Sequence, residues 1–268
     1  MDSFGARLNS KLGEFGQLCI GIDPSERVLA DWGFADTPQG ARDFGYHLIT
    51  AAEGRVGIVK PQVAFFERFG SSGFFALEEV MEAAREAHLL VIADAKRGDV
   101  GSTMLGYAQA WFGDDSPLRA DALTLTPHLG PSSLSETMEY ARDVKGGIFL
   151  LAATSNPEAS ELQGAKRSSK TVSRLVIEAA KEMSSGDCGV VIGATVDLEL
   201  HGIAEIRAED IGVPILAPGF GAQGVDLAEL KNVFGASSSR VICNVSRAAY
   251  GGGPSGVKKI IDTLKSQL

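Results

Sequence analysis

Leu89-Leu90-Val91-Ile92-Ala93-Asp94-Ala95-Lys96-Arg97-Gly98-Asp99-Val100-Gly101-Ser102-Thr103 joins a short apolar run to a burst of charge, then to a stretch that can open a helix. The run 89–93 reads as a buried strand, because it is short, partly β-branched and abruptly ended. Side chains alternate along a strand, so Ile92, Asp94 and Lys96 face one side and Val91, Ala93 and Ala95 the other. A carboxylate and an amine thus share a face at the strand's C-terminal end, roughly 7 Å apart along the backbone. Three residues on comes a second carboxylate, Asp99. Charges so dense are costly to bury unless they neutralise one another. They form either a solvated turn or a functional cluster, and in both cases the unit is a strand followed by a helix.

Outward from this unit the same alternation fills the chain. Strand signals at 18–22, 56–59, 122–125, 147–152, 190–192, 214–216 and 240–245 flank the central one. Helix signals at 41–53, 74–87, 102–111, 132–142 (opened by a Ser cap), 171–183, 198–207, 227–230 and 255–265 separate them. Eight strand–helix pairs in 268 residues, with no linker or low-complexity break, predict an α/β fold, a single (β/α)8 TIM barrel forming one domain over 1–268. A doubly wound open sheet is the alternative. Asp23, Lys60, Asp94 with Lys96, Ser155, Gln223 and Arg247 follow six different strands at their C-terminal ends. A barrel gathers such ends at one mouth, whereas an open sheet spreads them along a crevice.

Composition bounds the partners. A net charge of −9 and a pI near 5.0 disfavour nucleic acid and anionic membrane, which need a basic footprint, but leave room for a small anionic ligand. Cys19, Cys188 and Cys243 are odd in number and lack CxxC spacing, which predicts buried reduced thiols and no zinc site. Residues 1–17 contain no signal-peptide core, and no run approaches the ~18 apolar residues of a membrane span. A cytoplasmic location is expected. His47, His88 and His201 read as surface or structural residues, and His128, after the fourth strand, lies nearer the expected mouth.

Two late stretches carry further chemistry. Ala217-Pro218-Gly219-Phe220-Gly221-Ala222-Gln223-Gly224 offers backbone N–H groups that can approach an anion, and Asn244-Val245-Ser246-Arg247 offers a hydroxyl and a guanidinium for phosphate oxygens. Loops after strands seven and eight are the usual phosphate site of a TIM barrel.

Taken together these motifs resemble the orotidine 5′-phosphate decarboxylases, in the bacterial subgroup with a longer chain. The family signature Asp-x-Lys-x-x-Asp is Asp94-Ala95-Lys96-Arg97-Gly98-Asp99 here. Leu18-Cys19-Ile20-Gly21-Ile22-Asp23-Pro24, Val59-Lys60-Pro61 with Ala64-Phe65-Phe66-Glu67, and Ala152-Ala153-Thr154-Ser155-Asn156-Pro157 resemble the family's first, second and fifth strand motifs, in order. The resemblance implies decarboxylation of orotidine 5′-phosphate to UMP, the last step of pyrimidine nucleotide synthesis, without a cofactor or metal. It also implies a homodimer whose active sites are shared. By this likeness Lys96 protonates C6 and Asp94 faces the departing carboxylate. Lys60 and the partner's Asp99 complete a Lys–Asp–Lys–Asp array, and Thr103 also reaches across from the partner. Asp23 contacts the ribose and Ser155 the pyrimidine. Pro218, Gly219 and Gln223 form the phosphate loop, and Ser246 and Arg247 hold the phosphate. Ser246 departs from the Gly that many members carry. Three other readings are a metal-dependent 3-keto-L-gulonate 6-phosphate decarboxylase, a phosphoribosyl isomerase and a non-catalytic nucleotide-binding barrel. The first would want a carboxylate where Lys60 stands, and the second leaves the charged set unexplained.

Overall fold

The computed structural model describes residues 2–221 and 224–268. Eight strands, β1 (Leu18–Ile22), β2 (Ile58–Pro61), β3 (Leu90–Arg97), β4 (Ala122–Leu125), β5 (Gly147–Ala153), β6 (Cys188–Ile192), β7 (Ile215–Pro218) and β8 (Val241–Val245), pair in parallel. They close into a barrel in sequence order, with β1 bonded to both β2 and β8. The open-sheet alternative is therefore ruled out. Alternation decides which residues meet inside. Cys19, Ile58, Leu90, Ile92, Ala122, Phe149, Val191, Leu216 and Ile242 fill the interior, and the residues between them pack outward against the helices.

A helix absent from the expected elements, α1 (Phe4–Phe15), closes the bottom of this core. Phe4 meets Phe149 edge-on at 6.1 Å between ring centroids, against Gly147, where any side chain would collide with the Phe4 ring. Its signal was available: Phe4, Leu8 and Leu12 recur at helical spacing behind Ser3, whose hydroxyl accepts the Ala6 N–H.

Outer helices match most expected positions, including α2 (Pro38–Ala52), α3 (Ser71–Glu86), α4 (Gly101–Phe112), α5 (Ser135–Asp143), α6 (Val172–Met183) and, past α7 (Leu230–Phe234), α8 (Val257–Lys265), whereas the short helix expected at 227–230 is a 3-10 turn (Leu227–Glu229) running into α7. Two other expectations fail. The helix expected at 198–207 is a series of turns ending in one 3-10 turn, Ala204–Arg207. Asp197 takes the N–H groups of Glu199 and Leu200 with its side chain, and Gly202 turns left-handed at φ +60°, so no helix propagates. The serine cap expected at 132 is also absent, because a 3-10 turn (Pro131–Leu134) precedes α5 and Ser133 bonds back to Gly130. Strands β2, β3 and β7 run two to four residues further than hydrophobicity suggests, carrying Lys60, Asp94–Arg97 and Pro218 within the hydrogen-bonded ladder.

Candidate active site

At the C-terminal mouth a cavity of about 300 Å3 is lined by Asp23, Lys60, Asp94, Lys96, Ser155, Pro218, Gly219, Ser246 and Arg247 among others. Nine of the twelve residues expected from sequence thus meet at one place. Asp99 and Thr103 do not line it. Asp99 accepts the Val100 N–H at 2.8 Å, and Thr103 is exposed on the first turn of α4. Gln223 lies outside the described residues. His128 is exposed and does not line the cavity.

The charged centre follows from strand parity. Lys60 on β2 and Asp94 on β3 both occupy inward positions and are almost fully buried. The Lys60 amine donates to Asp94 Oδ2 at 2.8 Å and lies 4.0 Å from Asp23 Oδ1; the Lys96 amine donates to Asp94 Oδ1 at 2.6 Å. Burial alone would raise the Asp94 carboxyl, but the two ammonium groups outweigh it and hold it well below the usual carboxylate range. Burial likewise pulls Lys60 down, yet Asp94 and Asp23 prevail and hold it above the ordinary lysine value. Asp94 is charged and doubly engaged, while Lys96, with its side chain 46% exposed, presents its amine to the cavity.

The remaining charges of the opening stretch separate. Arg97 pairs with Glu67 at 2.8 Å, outside the cavity. The cluster is thus part functional-looking array and part ordinary surface pair, because alternation and a bulge in β3 send its members to different sides.

The opposite wall carries a glycine backbone, a hydroxyl and a guanidinium, from Gly219, Ser246 and Arg247. Gly219 adopts φ +102°, a left-handed backbone open to glycine, which exposes the chain after β7 to the cavity. Ser246 tucks against Gly21 so closely that a Cβ there would lie 2.0 Å from its hydroxyl oxygen. Arg247 has no carboxylate within ion-pair distance among the described residues. Asp23 Oδ1 is buried without a hydrogen-bond partner and faces only the Lys60 amine, at 4.0 Å.

Sequence reading gave no role to Thr124, Gln62 and Asn244, nor to Thr154 and Asn156, which line the cavity. Thr124 accepts the Lys96 N–H at 3.0 Å and donates to Asp94 Oδ1 at 2.9 Å. Gln62 donates to the Asp94 carbonyl at 3.3 Å and accepts from the Lys60 amine at 3.4 Å. Asn244 lines the cavity from β8 and accepts a weak 3.6 Å contact from Cys19. Thr124 and Asn244 are polar residues at inward positions of otherwise apolar strands, a signal that period-two parity could have exposed. Beneath them Cys19 is pushed up to about 12 by burial, against the pull of Lys60, and is a neutral floor rather than a nucleophile.

Fold and site together define a class: (β/α)8-barrel proteins that place an alternating lysine–aspartate array beside a glycine, serine and arginine rim at the C-terminal mouth. The model of the orotidine 5′-phosphate decarboxylase / HUMPS family matches residues 16–257, and the chain belongs to that family. An orotidine 5′-phosphate decarboxylase of Streptomyces coelicolor is 44% identical over 262 residues, covering 95% of this chain and 92% of its own. A crystal structure from Streptomyces avermitilis, assigned as an orotidine 5′-phosphate decarboxylase, superposes with a TM-score of 0.92 at 41% identity and covers 100% of this chain and 95% of that one. The Leishmania donovani OMP decarboxylase superposes with a TM-score of 0.79 at 29% identity over 99% of both chains.

Proposed function

We propose that this protein decarboxylates orotidine 5′-phosphate to UMP and CO2, with Lys96 as the acid. The observation that carries this reading is the run Lys60–Asp94–Lys96 across β2 and β3, facing the wall of Gly219, Ser246 and Arg247 in one cavity. Loss of CO2 leaves an electron pair on C6 that the pyrimidine ring delocalises poorly. An ammonium fixed beside that carbon stabilises the developing charge with little reorganisation. At about 4 Å and an effective dielectric near 20 one such pair is worth about 4 kcal/mol, a fraction of the ~8–23 kcal/mol enzymes remove. Proximity and the binding energy of the remote phosphate supply the remainder. The C6 carbanion then takes a proton from the Lys96 ammonium, and the amine left behind is reprotonated from water.

In this reading Asp94, already charged, crowds the substrate carboxylate and keeps Lys96 in place. Lys60 holds Asp94 ionised. Asp23, whose side chain is partly exposed on the cavity wall, suits a ribose hydroxyl, and Ser155 suits the base. Ser246 and Arg247, with Pro218, Gly219 and Gln223, hold the phosphate. Asp99 and Thr103 would enter the neighbouring active site of a homodimer, a role supported by their position outside the cavity beside the exposed Val100 and Tyr107. The cytoplasm is the proposed compartment, supported by three buried, unpaired cysteines. No helix among the described residues is long and apolar enough to cross a membrane.

A metal-dependent sugar-phosphate decarboxylase fits this donor set poorly, because the Lys60 ammonium already sits between Asp94 and Asp23. Following orotidine 5′-phosphate absorbance with and without a chelator tests the choice. Turnover indifferent to EDTA is expected; no turnover, or turnover abolished by EDTA, overturns the reading.

A further inference from the structure

Lys96 stands in an unusual piece of backbone. Along β3 the pairing with β4 runs Ala93↔Leu123 and then Arg97↔Leu125, so four steps on one strand match two on the other. The surplus is absorbed as a bulge, and within it Lys96 takes φ +48°, a left-handed conformation that a residue with a Cβ seldom adopts. Such a conformation persists where its surroundings impose it. One residue contacts the bulge from the opposite strand and from within the barrel. Thr124, 1% exposed, accepts the Lys96 N–H and donates its hydroxyl proton to Asp94 Oδ1, the oxygen that also receives the Lys96 amine. A hydroxyl has one proton and two lone pairs, so it can serve both partners at once. No apolar side chain of that shape can.

We propose that Thr124 is a positioning residue of the decarboxylation: it ties the backbone of Lys96 to the carboxylate of Asp94 and sets the spacing between acid and array. It does not line the cavity, so it acts through these two residues and not on the ligand. The inference rests on the reading of Lys96 as the acid. Replacing Thr124 by valine keeps the shape while leaving the Lys96 N–H without an acceptor and Asp94 Oδ1 without its second donor.

The test measures kcat and KM for orotidine 5′-phosphate and the affinity for UMP in wild type, Thr124→Val and Thr124→Ser, with Thr124→Ala as a second loss of the hydroxyl should the valine variant fail to fold. Loss of the hydroxyl is expected to lower kcat about tenfold or more while KM and UMP affinity stay within about threefold, and serine is expected to restore kcat to within about threefold. A hydroxyl-free variant with kcat within about twofold of wild type, or a serine variant as slow as valine, overturns the proposal. So does a parallel loss of kcat and UMP binding, which assigns Thr124 to the fold alone. Absence of turnover in the wild type is a different result: it overturns the decarboxylase reading, and the inference with it.

Discussion

Asp94 is the residue on which the centre depends, because it is a buried charge made tolerable by two cations. Removing one partner of such a set strands the other, which costs more than the pair contributes. Its carboxyl stays ionised to lower pH in the fold than in the open chain. The stability it contributes is therefore present above about pH 4 and is lost as the pH falls further. Lys60 acts in the opposite sense, contributing below about pH 10.4 and losing that contribution as the pH rises. Melting curves of wild type and Asp94→Asn should differ most near neutrality and converge below about pH 4; a gap that widens in acid would contradict the assignment. Lys96→Ala should lower kcat by on the order of 10^4-fold or more while UMP still binds, and substantial residual kcat would remove Lys96 from the acid's role. Arg247→Ala should weaken UMP about 10- to 100-fold and leave uridine affinity unchanged, since only the phosphate loses a charge-assisted partner.

At the scale of elements, barrel strands carry their chemistry where hydrophobicity runs out before hydrogen bonding does. That is why β2, β3 and β7 extend past their apolar runs, and why their ends were placed early from sequence. β1 and β8 show the same coupling through packing. Gly21 faces inward where Ser246 crosses from the neighbouring strand, so the missing Cβ is the space the serine occupies. Gly21→Ala should displace Ser246 and raise KM for the phosphate-bearing substrate, or cost about 1–3 kcal/mol of stability if the serine cannot move. Adding Ser246→Gly should recover part of the loss. Strictly additive effects in a double-mutant cycle would show that the two residues do not compete for this space.

For the whole molecule, closure of the barrel gathers residues from β1, β2, β3, β5, β7 and β8, spread over more than 200 positions of chain, around one cavity. In a single protomer Asp99 and Thr103 stand outside the cavity, beside Val100 at 50% exposure. If each site borrows Asp99 from its neighbour, mixing Lys96→Ala with Asp99→Ala protomers creates one intact site in each mixed dimer. Random reassembly of these two inactive variants should then restore roughly a quarter of wild-type turnover per site. No recovery would place Asp99 in its own protomer's chemistry.

The sequence by itself determined the strand–helix period, the parity that puts Asp94 and Lys96 on one face, and nine of the residues around the cavity, because these are local consequences of alternation and of where apolar runs end. It left the closure of the sheet open between two topologies. Tertiary structure alone decided that Arg97 leaves the cluster for Glu67, that Thr124 binds both Lys96 and Asp94, and that Ser246 rests on Gly21. Each of these depends on the register between neighbouring strands. A two-residue surplus in β3 against β4 is written in no single segment, since it exists only when both strands are paired.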